Sequence, residues 1–88
     1  MGWTIEYDPA AIHDLNRLDR PIRAEIYGYM QYRIAAADSP RNFGKALRHE
    51  KFGLWRYRVR DYRIICELQD ARKVVLVVGV GHRKDVYK

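Results

Sequence analysis

Residues 54–65 have the sequence LWRYRVRDYRII, in which large apolar side chains alternate with arginine. Successive side chains of a β-strand point to opposite faces of its sheet, so this pattern predicts a strand with one apolar face and one basic face. The apolar members are Trp55, Tyr57 and Val59, and the basic members are Arg56, Arg58 and Arg60. Three unpaired guanidinium groups are too costly to bury, so we expect the apolar face to meet the core.

Two further strands follow this segment along the chain. Asp61 marks a tight bend, and residues 62–69 continue as a second strand. A turn over residues 70–72 leads into residues 73–80, which are apolar at nearly every position. A short run of this kind is typical of an interior strand that is buried on both faces.

The first half of the chain has the signals of one strand and two helices. Residues 3–7 alternate like a short strand, and Asp8-Pro9 then resembles a helix N-cap followed by proline at the first helical position, which predicts a helix over 9–18. Asp19-Arg20-Pro21 repeats this signal and predicts a second helix that ends near Ala37. The order β-α-α-β-β-β predicts an α+β fold, with an antiparallel sheet and a helical hairpin packed on one of its faces.

Length and composition restrict the class of protein. A chain of 88 residues accommodates one core, so we expect residues 1–88 to form a single domain. No apolar run approaches the ~20 residues of a membrane span, and the first residues lack the pattern of a signal peptide, which favours a cytoplasmic protein without membrane contact. The single cysteine, Cys66, excludes an internal disulfide and is expected to be a small core residue.

The positive charge is concentrated in the second half. The formal net charge is +6. Residues 1–44 hold five basic and six acidic groups, whereas residues 45–88 hold twelve basic and five acidic groups. Only Asp61 and Glu67 lie near the alternating arginines. This excess favours an anion-binding surface over an ordinary solvated sheet face, and arginine suits phosphate because its planar fork donates two parallel hydrogen bonds.

Several motifs together resemble the RelE/ParE superfamily of bacterial toxins, and in particular its RelE-like branch. The motifs are LNRLD at 15–19, PIR at 21–23, KALR at 45–48, LWRYRVRDYRII at 54–65 and VGVGHRKDVY at 78–87. The resemblance covers essentially the whole chain. It implies the toxin of a type II toxin–antitoxin system, acting as an endoribonuclease that cuts messenger RNA in the ribosomal A site and inhibits translation. It also implies attack by the 2′-hydroxyl on the adjacent phosphate, without metal or cofactor.

The resemblance also assigns candidate residues. The catalytic candidates carried over from the family are Arg56, Arg58, Arg63, Arg83 and Tyr87, with Tyr87 stacking on a base, and His82 joins them as a candidate general base. The further basic residues expected to contact RNA are Lys45, Arg48, Lys51, Arg60 and Lys84.

One departure concerns the general base. The best-known RelE-like pattern has lysine where this chain has Arg56 and Arg58. Arginine is a poor base because it is effectively never deprotonated. It can nevertheless stabilise the negative charge of a pentavalent phosphorane by donating hydrogen bonds to its oxygens. Some relatives use a glutamate before this strand and a histidine near the C-terminus, places held here by Glu50 and His82. Histidine is the first candidate since it titrates near neutrality, and His49 is a weaker one.

Two other functions remain open at the level of sequence. The first is a ParE-like toxin that poisons DNA gyrase, and the second is a non-catalytic basic RNA-binding module. For either toxin branch the resemblance implies a cognate, RelB-like antitoxin that contacts operator DNA and wraps this domain with an acidic segment, while the RelE-like branch implies ribosomal RNA and messenger RNA as partners. The edge strand predicted at residues 3–7 is able to accept an added strand from that antitoxin.

Overall fold

The fold combines two α-helices with a five-stranded sheet. The structure, a computed structural model, describes residues 2–47 and 53–82. In chain order the elements are β1 (Thr4–Tyr7), α1 (Pro9–Asn16), α2 (Arg20–Tyr29), a π-helical turn (Met30–Ile34), a 3-10 turn (Pro40–Asn42), β2 (Lys45–Ala46), β3 (Leu54–Val59), β4 (Tyr62–Gln69) and β5 (Val74–His82). The predicted α+β class and the predicted order of the main elements are confirmed.

The sheet is mixed, which corrects the prediction of an antiparallel sheet. Its strand order is β1-β5-β4-β3-β2, and β1 runs parallel to β5. The strands β2 to β5 are antiparallel to their neighbours. The tight turns before and after β4 force antiparallel pairing there, whereas β1 reaches the sheet through the two helices and is free to lie parallel. The strand β2 went unpredicted because two residues are too few to show alternation.

Both helices begin at the predicted aspartate–proline signals but end earlier than the sequence pattern indicates. The Asp8 Oδ2 atom accepts a hydrogen bond of 3.0 Å from the Ala10 amide, as an N-cap should, whereas the Asp19 side chain makes no such bond. The helix α1 ends at Asn16, and helical backbone after α2 continues only through the π-helical turn to Ile34. Among residues 2–47 and 53–82, no helical segment has the length and apolar character of a membrane-spanning helix.

The core lies between the two helices and the apolar face of the sheet. The helix α1 packs on β5, and α2 packs on β3. The helical side chains of this core are Ala11, Leu15, Ile26, Met30 and Ile34, and the sheet contributes Tyr57, Val59, Ile64, Cys66, Val75, Val77 and Val80. Burial raises the pKa of the Cys66 thiol and keeps it uncharged, so the prediction of a core residue is confirmed.

A β-bulge in β5 changes which side chains of this strand face the core. Ile65 pairs with Gly79 and Cys66 pairs with Val77, so Val78 is an extra residue without a partner on β4. Before the bulge, the odd-numbered Val75 and Val77 are buried in the core. After it, the core position belongs to Val80, and Gly79 lies on the opposite face.

Two side-chain hydrogen bonds, one buried and one partly buried, fix the connection between the helices and the sheet. The Tyr57 hydroxyl donates to the Pro40 carbonyl oxygen at 2.6 Å, and the Trp55 indole donates to the Phe43 carbonyl oxygen at 2.7 Å. Gly44, directly after Phe43, has a φ of +74°, which only glycine adopts without strain. A Cβ atom on Gly44 would overlap the Arg56 carbonyl oxygen, so the loop approaches β3 too closely for any other residue.

We predict that Gly44→Ala destabilises the fold much more than Gly53→Ala. Both glycines have positive φ, but a Cβ atom on Gly53 would meet nothing within 4 Å. The left-handed conformation alone costs alanine about 1–2 kcal/mol, and overlap with β3 adds about 1–3 kcal/mol for Gly44→Ala. Urea unfolding of both variants measures the difference, and equal free energies of unfolding would contradict the close approach at Gly44.

We also predict that Tyr57→Phe lowers the free energy of unfolding by about 1–3 kcal/mol, because it leaves the buried Pro40 carbonyl without a donor. The matched control is Tyr32→Phe, since Tyr32 is 81% exposed. Thermal unfolding of the control should be within about 0.5 kcal/mol of wild type. A Tyr57→Phe variant as stable as its control would show that the hydroxyl contributes nothing.

Candidate active site

A strip of basic side chains crosses the face of the sheet that points away from the helical core. Residues directly opposite each other on neighbouring strands share a face. In this register Lys45 lies opposite Arg56, and Arg58 lies opposite Arg63. Tyr57, between the two arginines of β3, points into the core. We call Lys45, Arg56, Arg58 and Arg63 the basic strip. The predicted alternation is confirmed for Arg56 and Arg58, and Arg63 lies on the same face.

Arg58 and Arg63 form a cross-strand pair of like charge. Such partners have Cβ atoms about 4.5–5.5 Å apart, and like charges at that distance destabilise a sheet. The hairpin turn orients Arg58, whose Nε donates to the Arg60 carbonyl oxygen at 2.9 Å. Its Nη2 lies 3.8 Å from Asp61 Oδ1, and the side chain remains 61% exposed. An anion bound between the two guanidinium groups would accept hydrogen bonds from both of them.

The acidic groups on this face lie toward its other end and have partners there. Glu67 is opposite Leu54, and its Oε1 accepts a hydrogen bond of 2.9 Å from Gln69. Glu6 lies 3.2 Å from the guanidinium of Arg72. Neither carboxylate is opposite a member of the basic strip. Beside the β3–β4 turn, Asp61 is the acidic side chain that lies near Arg58.

Arg60 does not project with Arg56 and Arg58, which corrects the predicted three-arginine face. The strand β3 ends at Val59, and Arg60 begins the two-residue turn with a φ of +56°. Two-residue hairpin turns need a positive φ at this position, so the turn reverses the direction in which the side chain points. The Arg60 Nε is 2.7 Å from Glu25 Oε1 on α2, and this hydrogen bond raises the pKa of Arg60.

The strand β5 completes the surface with glycine instead of side chains. Gly81 lies opposite Arg63, and Gly79 lies opposite Ile65. Glycine within a strand often marks a place where a ligand or another backbone approaches closely. The bulge at Val78 puts both glycines on the face of the basic strip.

An open cleft of about 710 Å³ adjoins this glycine surface between α1 and the ends of β4 and β5. We call it the α1 cleft; its polar and glycine lining comprises Asp14, Arg17, Tyr62, Gly79, Gly81 and His82. Asp14 and Arg17 were not predicted as site residues. A single sequence shows no signal that joins a helical aspartate to a strand far along the chain.

His82 lies at the end of β5 and stacks edge-on against Tyr62, with ring centroids 5.6 Å apart. Tyr62 and His82 are direct partners, and the register places them on the face opposite Arg63. His82 therefore borders the α1 cleft rather than the basic strip. Its role as general base stays a prediction.

Other predicted site residues lie outside the described part of the chain. They are Arg48, Lys51, Arg83, Lys84 and Tyr87, together with the alternative bases His49 and Glu50. Within residues 2–47 and 53–82, no group of three or more histidine, cysteine, aspartate or glutamate side chains is placed to hold a metal ion. The chemistry available to the described residues is electrostatic: arginine donors fixed on a rigid sheet.

Comparison with known protein families identifies the kind of protein that carries this surface. The model of the family described as the ParE toxin of type II toxin–antitoxin systems matches residues 5–87. The chain belongs to this family of toxins. The predicted membership of the RelE/ParE superfamily is thereby confirmed. A curated relative of this toxin is Toxin RelG of Mycobacterium tuberculosis, which is 28% identical over 88 residues, covering 100% of this chain and 99% of the relative.

Solved structures agree with the family assignment. A chain in the toxin–antitoxin complex RelBE2 of Mycobacterium tuberculosis matches with a TM-score of 0.84 and 27% identity, over 97% of this toxin and 95% of that chain. The isolated Escherichia coli RelE toxin matches with a TM-score of 0.70 and 20% identity, over 91% of this toxin and 83% of that chain. At that identity the likeness to the Escherichia coli protein shows a shared fold.

We predict that Arg58→Gln and Arg56→Gln weaken binding of single-stranded RNA and reduce its salt dependence. Each lost phosphate contact lowers the slope of log K against log salt by about 0.7. The matched control is Arg72→Gln, which removes the same charge from the Glu6 side of the sheet. Fluorescence anisotropy at several salt concentrations measures the slopes. Identical slopes for the three variants would mean that the basic strip is not the RNA-binding surface.

Proposed function

We propose that this toxin is a ribosome-dependent endoribonuclease that cleaves messenger RNA in the A site and thereby stops translation. The observation that carries the proposal is the pairing of Arg58 with Arg63 across β3 and β4. Two guanidinium groups that share a face on neighbouring strands can both donate hydrogen bonds to the oxygens of one phosphate. The resemblance to RelE-like toxins supports RNA as the source of that phosphate.

In the proposed reaction the 2′-oxygen of one nucleotide attacks the adjacent phosphorus. A bond forms between the 2′-oxygen and phosphorus, and the bond to the 5′-oxygen of the next nucleotide breaks. Negative charge accumulates on the non-bridging oxygens in the transition state. Arg58 and Arg63 donate hydrogen bonds to these oxygens, and because the sheet holds both side chains in advance, little reorganisation accompanies the reaction.

The proton of the 2′-hydroxyl needs an acceptor, and the leaving 5′-oxygen needs a donor. The arginines of the basic strip do not exchange protons at neutral pH. In our proposal the acceptor is His82 or Glu50, and the protonated acceptor or a water molecule then protonates the leaving 5′-oxygen. The register places the His82 ring on the face opposite Arg63, so a role for His82 requires its ring to reach the phosphate around the end of β5. Arg83 adds a further positive charge at the phosphate, and Tyr87 stacks on a base, an interaction of about 1–3 kcal/mol.

We further propose that a RelB-like antitoxin neutralises the toxin and carries the complex to operator DNA. Relatives of similar fold occur in complexes with antitoxins, including the RelB–RelE complex of Methanococcus jannaschii. The basic strip would attract an acidic segment of the antitoxin. When the antitoxin is absent, the same charge favours ribosomal and messenger RNA.

Gyrase poisoning is the second candidate, and one observation favours it. The family model that matches residues 5–87 is named for ParE toxins of the parDE system. Primer extension on cellular messages after induction distinguishes the two activities. Discrete cuts within codons support the nuclease, whereas DNA damage with intact messages supports the gyrase poison.

We predict that Arg63→Ala abolishes growth arrest and reduces message cleavage by roughly 10²–10³-fold, the effect of removing one donor to a developing oxyanion. The control is Arg72→Ala, which removes an exposed arginine from the same face and should remain toxic. Circular dichroism of the purified variants establishes that both are folded. Undiminished message cleavage by folded Arg63→Ala would contradict the proposed role of the pair.

A further inference from the structure

The two-residue turn between β3 and β4 begins with a residue that does not suit its backbone conformation. Arg60 has a φ of +56°, and glycine, asparagine or aspartate is the usual residue at this place in a hairpin turn. A long side chain in the left-handed region persists only where the surrounding structure holds it. Among the described residues other than glycine, Lys73 in the β4–β5 turn shares this feature, with a φ of +54°.

The side chain of Arg60 is held on α2. Its Nε atom donates a hydrogen bond of 2.7 Å to Glu25 Oε1. Glu25 precedes Ile26, which is completely buried in the core, so the carboxylate is carried on a segment of helix that packing fixes. Lys73 forms no ion pair with any other residue that the structure describes. The two turns therefore differ, because the β3–β4 turn is tied to a helix by its positive-φ residue.

The β3–β4 turn also holds Arg58. The Arg58 Nε atom donates a hydrogen bond of 2.9 Å to the Arg60 carbonyl oxygen. A guanidinium group has five N–H donors, one on Nε and two on each terminal nitrogen. Because Nε is engaged by the turn, the terminal nitrogens Nη1 and Nη2 are the pair of donors that can face a phosphate. The Nη2 atom lies 3.8 Å from Asp61 Oδ1, which is too long for a hydrogen bond.

We propose that Glu25 and Arg60 are positioning residues for Arg58. The ion pair fixes the turn, and the turn carbonyl holds Arg58 Nε so that Nη1 and Nη2 together donate to the phosphate. This inference rests on the proposed nuclease function, in which Arg58 and Arg63 stabilise the charge on the scissile phosphate. Glu25 and Arg60 act through Arg58 and do not touch the substrate.

The size of the expected effect follows from the exposure of the pair. The Arg60 side chain is 63% exposed and the Glu25 side chain is 43% exposed. Exposed ion pairs shift an equilibrium between conformations by up to about fivefold. Without the pair, Arg58 spends part of its time in other orientations, so we expect the maximal rate of message cleavage to fall by about two- to fivefold.

The test measures cleavage of message on purified ribosomes in a single turnover, with the toxin in excess. Glu25→Gln makes the turn region more positive, and Arg60→Asn makes it less positive. A role of the pair in the electrostatic field alone predicts opposite changes in rate, whereas the positioning role predicts that both variants are slower. The double variant should be no slower than the slower single variant, because the two residues act as one pair.

Glu6→Gln and Lys73→Asn are the matched controls, and both should cleave at the wild-type rate. Glu6→Gln breaks the exposed pair with Arg72 at the other end of the face. Lys73→Asn replaces a basic residue of positive φ in the other turn. Asparagine tolerates the left-handed region, so Arg60→Asn and Lys73→Asn should keep or raise the melting temperature. A slower rate in a variant of undiminished stability cannot come from loss of folding.

Nuclear magnetic resonance of the Arg58 Nε–H group reports its orientation without cleavage. A hydrogen bond to a carbonyl oxygen slows exchange of this proton with water, because the bond must open before exchange occurs. We expect exchange in Glu25→Gln and Arg60→Asn to be about two- to fivefold faster than in wild type, and exchange in both controls to match wild type.

Two outcomes overturn the positioning role while leaving the nuclease intact. One is cleavage at the wild-type rate by both Glu25→Gln and Arg60→Asn. The other is a change of opposite sign in the two variants, which would assign the pair an effect on the field alone. Failure of the wild type to cleave any message would instead contradict the proposed nuclease. The exchange rates would still decide whether the pair holds Arg58, and equal rates in wild type and both variants would show that it does not.

Discussion

The register between β3 and β4 is the constraint on which the rest of the molecule depends. A slip of one residue would exchange the two faces of β3, sending Arg56 and Arg58 into the core and Tyr57 into solvent. Two local features fix this register: the two-residue turn at Arg60-Asp61, and the buried hydrogen bond from Tyr57 to Pro40. The same register creates the Arg58–Arg63 pair. Folding and anion binding therefore rely on one alignment of two strands.

That alignment also shows how stability and function are divided within the chain. The first half supplies the helices, whose buried side chains cover the apolar face of the sheet. The second half places Arg58 and Arg63 opposite each other on the face away from the core, where no packing requirement calls for arginine. The Arg60–Glu25 and Arg41–Asp70 pairs contrast with this, because each joins opposite charges between elements far apart in sequence. Exposed pairs of this kind contribute little to stability.

The parts of the fold that were predictable from sequence are those controlled by neighbouring residues. Alternation over residues 54–59 gave the faces of β3, and the aspartate–proline pairs gave the starts of both helices. The failures come from features that depend on distant residues. The parallel pairing of β1 with β5 leaves no local pattern, and the bulge at Val78 reverses the alternation of β5 without changing its composition. A strict period of two would have placed Gly79 in the core with Val77. Asp14 and Arg17 were missed for the same reason, since only the packing of α1 on β5 brings them to the site.

The position of β1 has a consequence for the order of events during synthesis. Its partner residues in β5 are among the later ones made, since Ile5 pairs with Val75. Pairings between such distant segments form slowly, because the entropy of closing a long loop is lost before any contact between the strands stabilises the pairing. The strand β1 therefore has no partner strand until β5 has been synthesised and has emerged from the ribosome. Until then β1 has no partner strand, α1 has no strand of β5 to pack on, and the contact between Asp14 and the Val80 amide cannot form. A protein proposed to act on ribosomes thus completes its site only after the last strand of its own sheet has been synthesised.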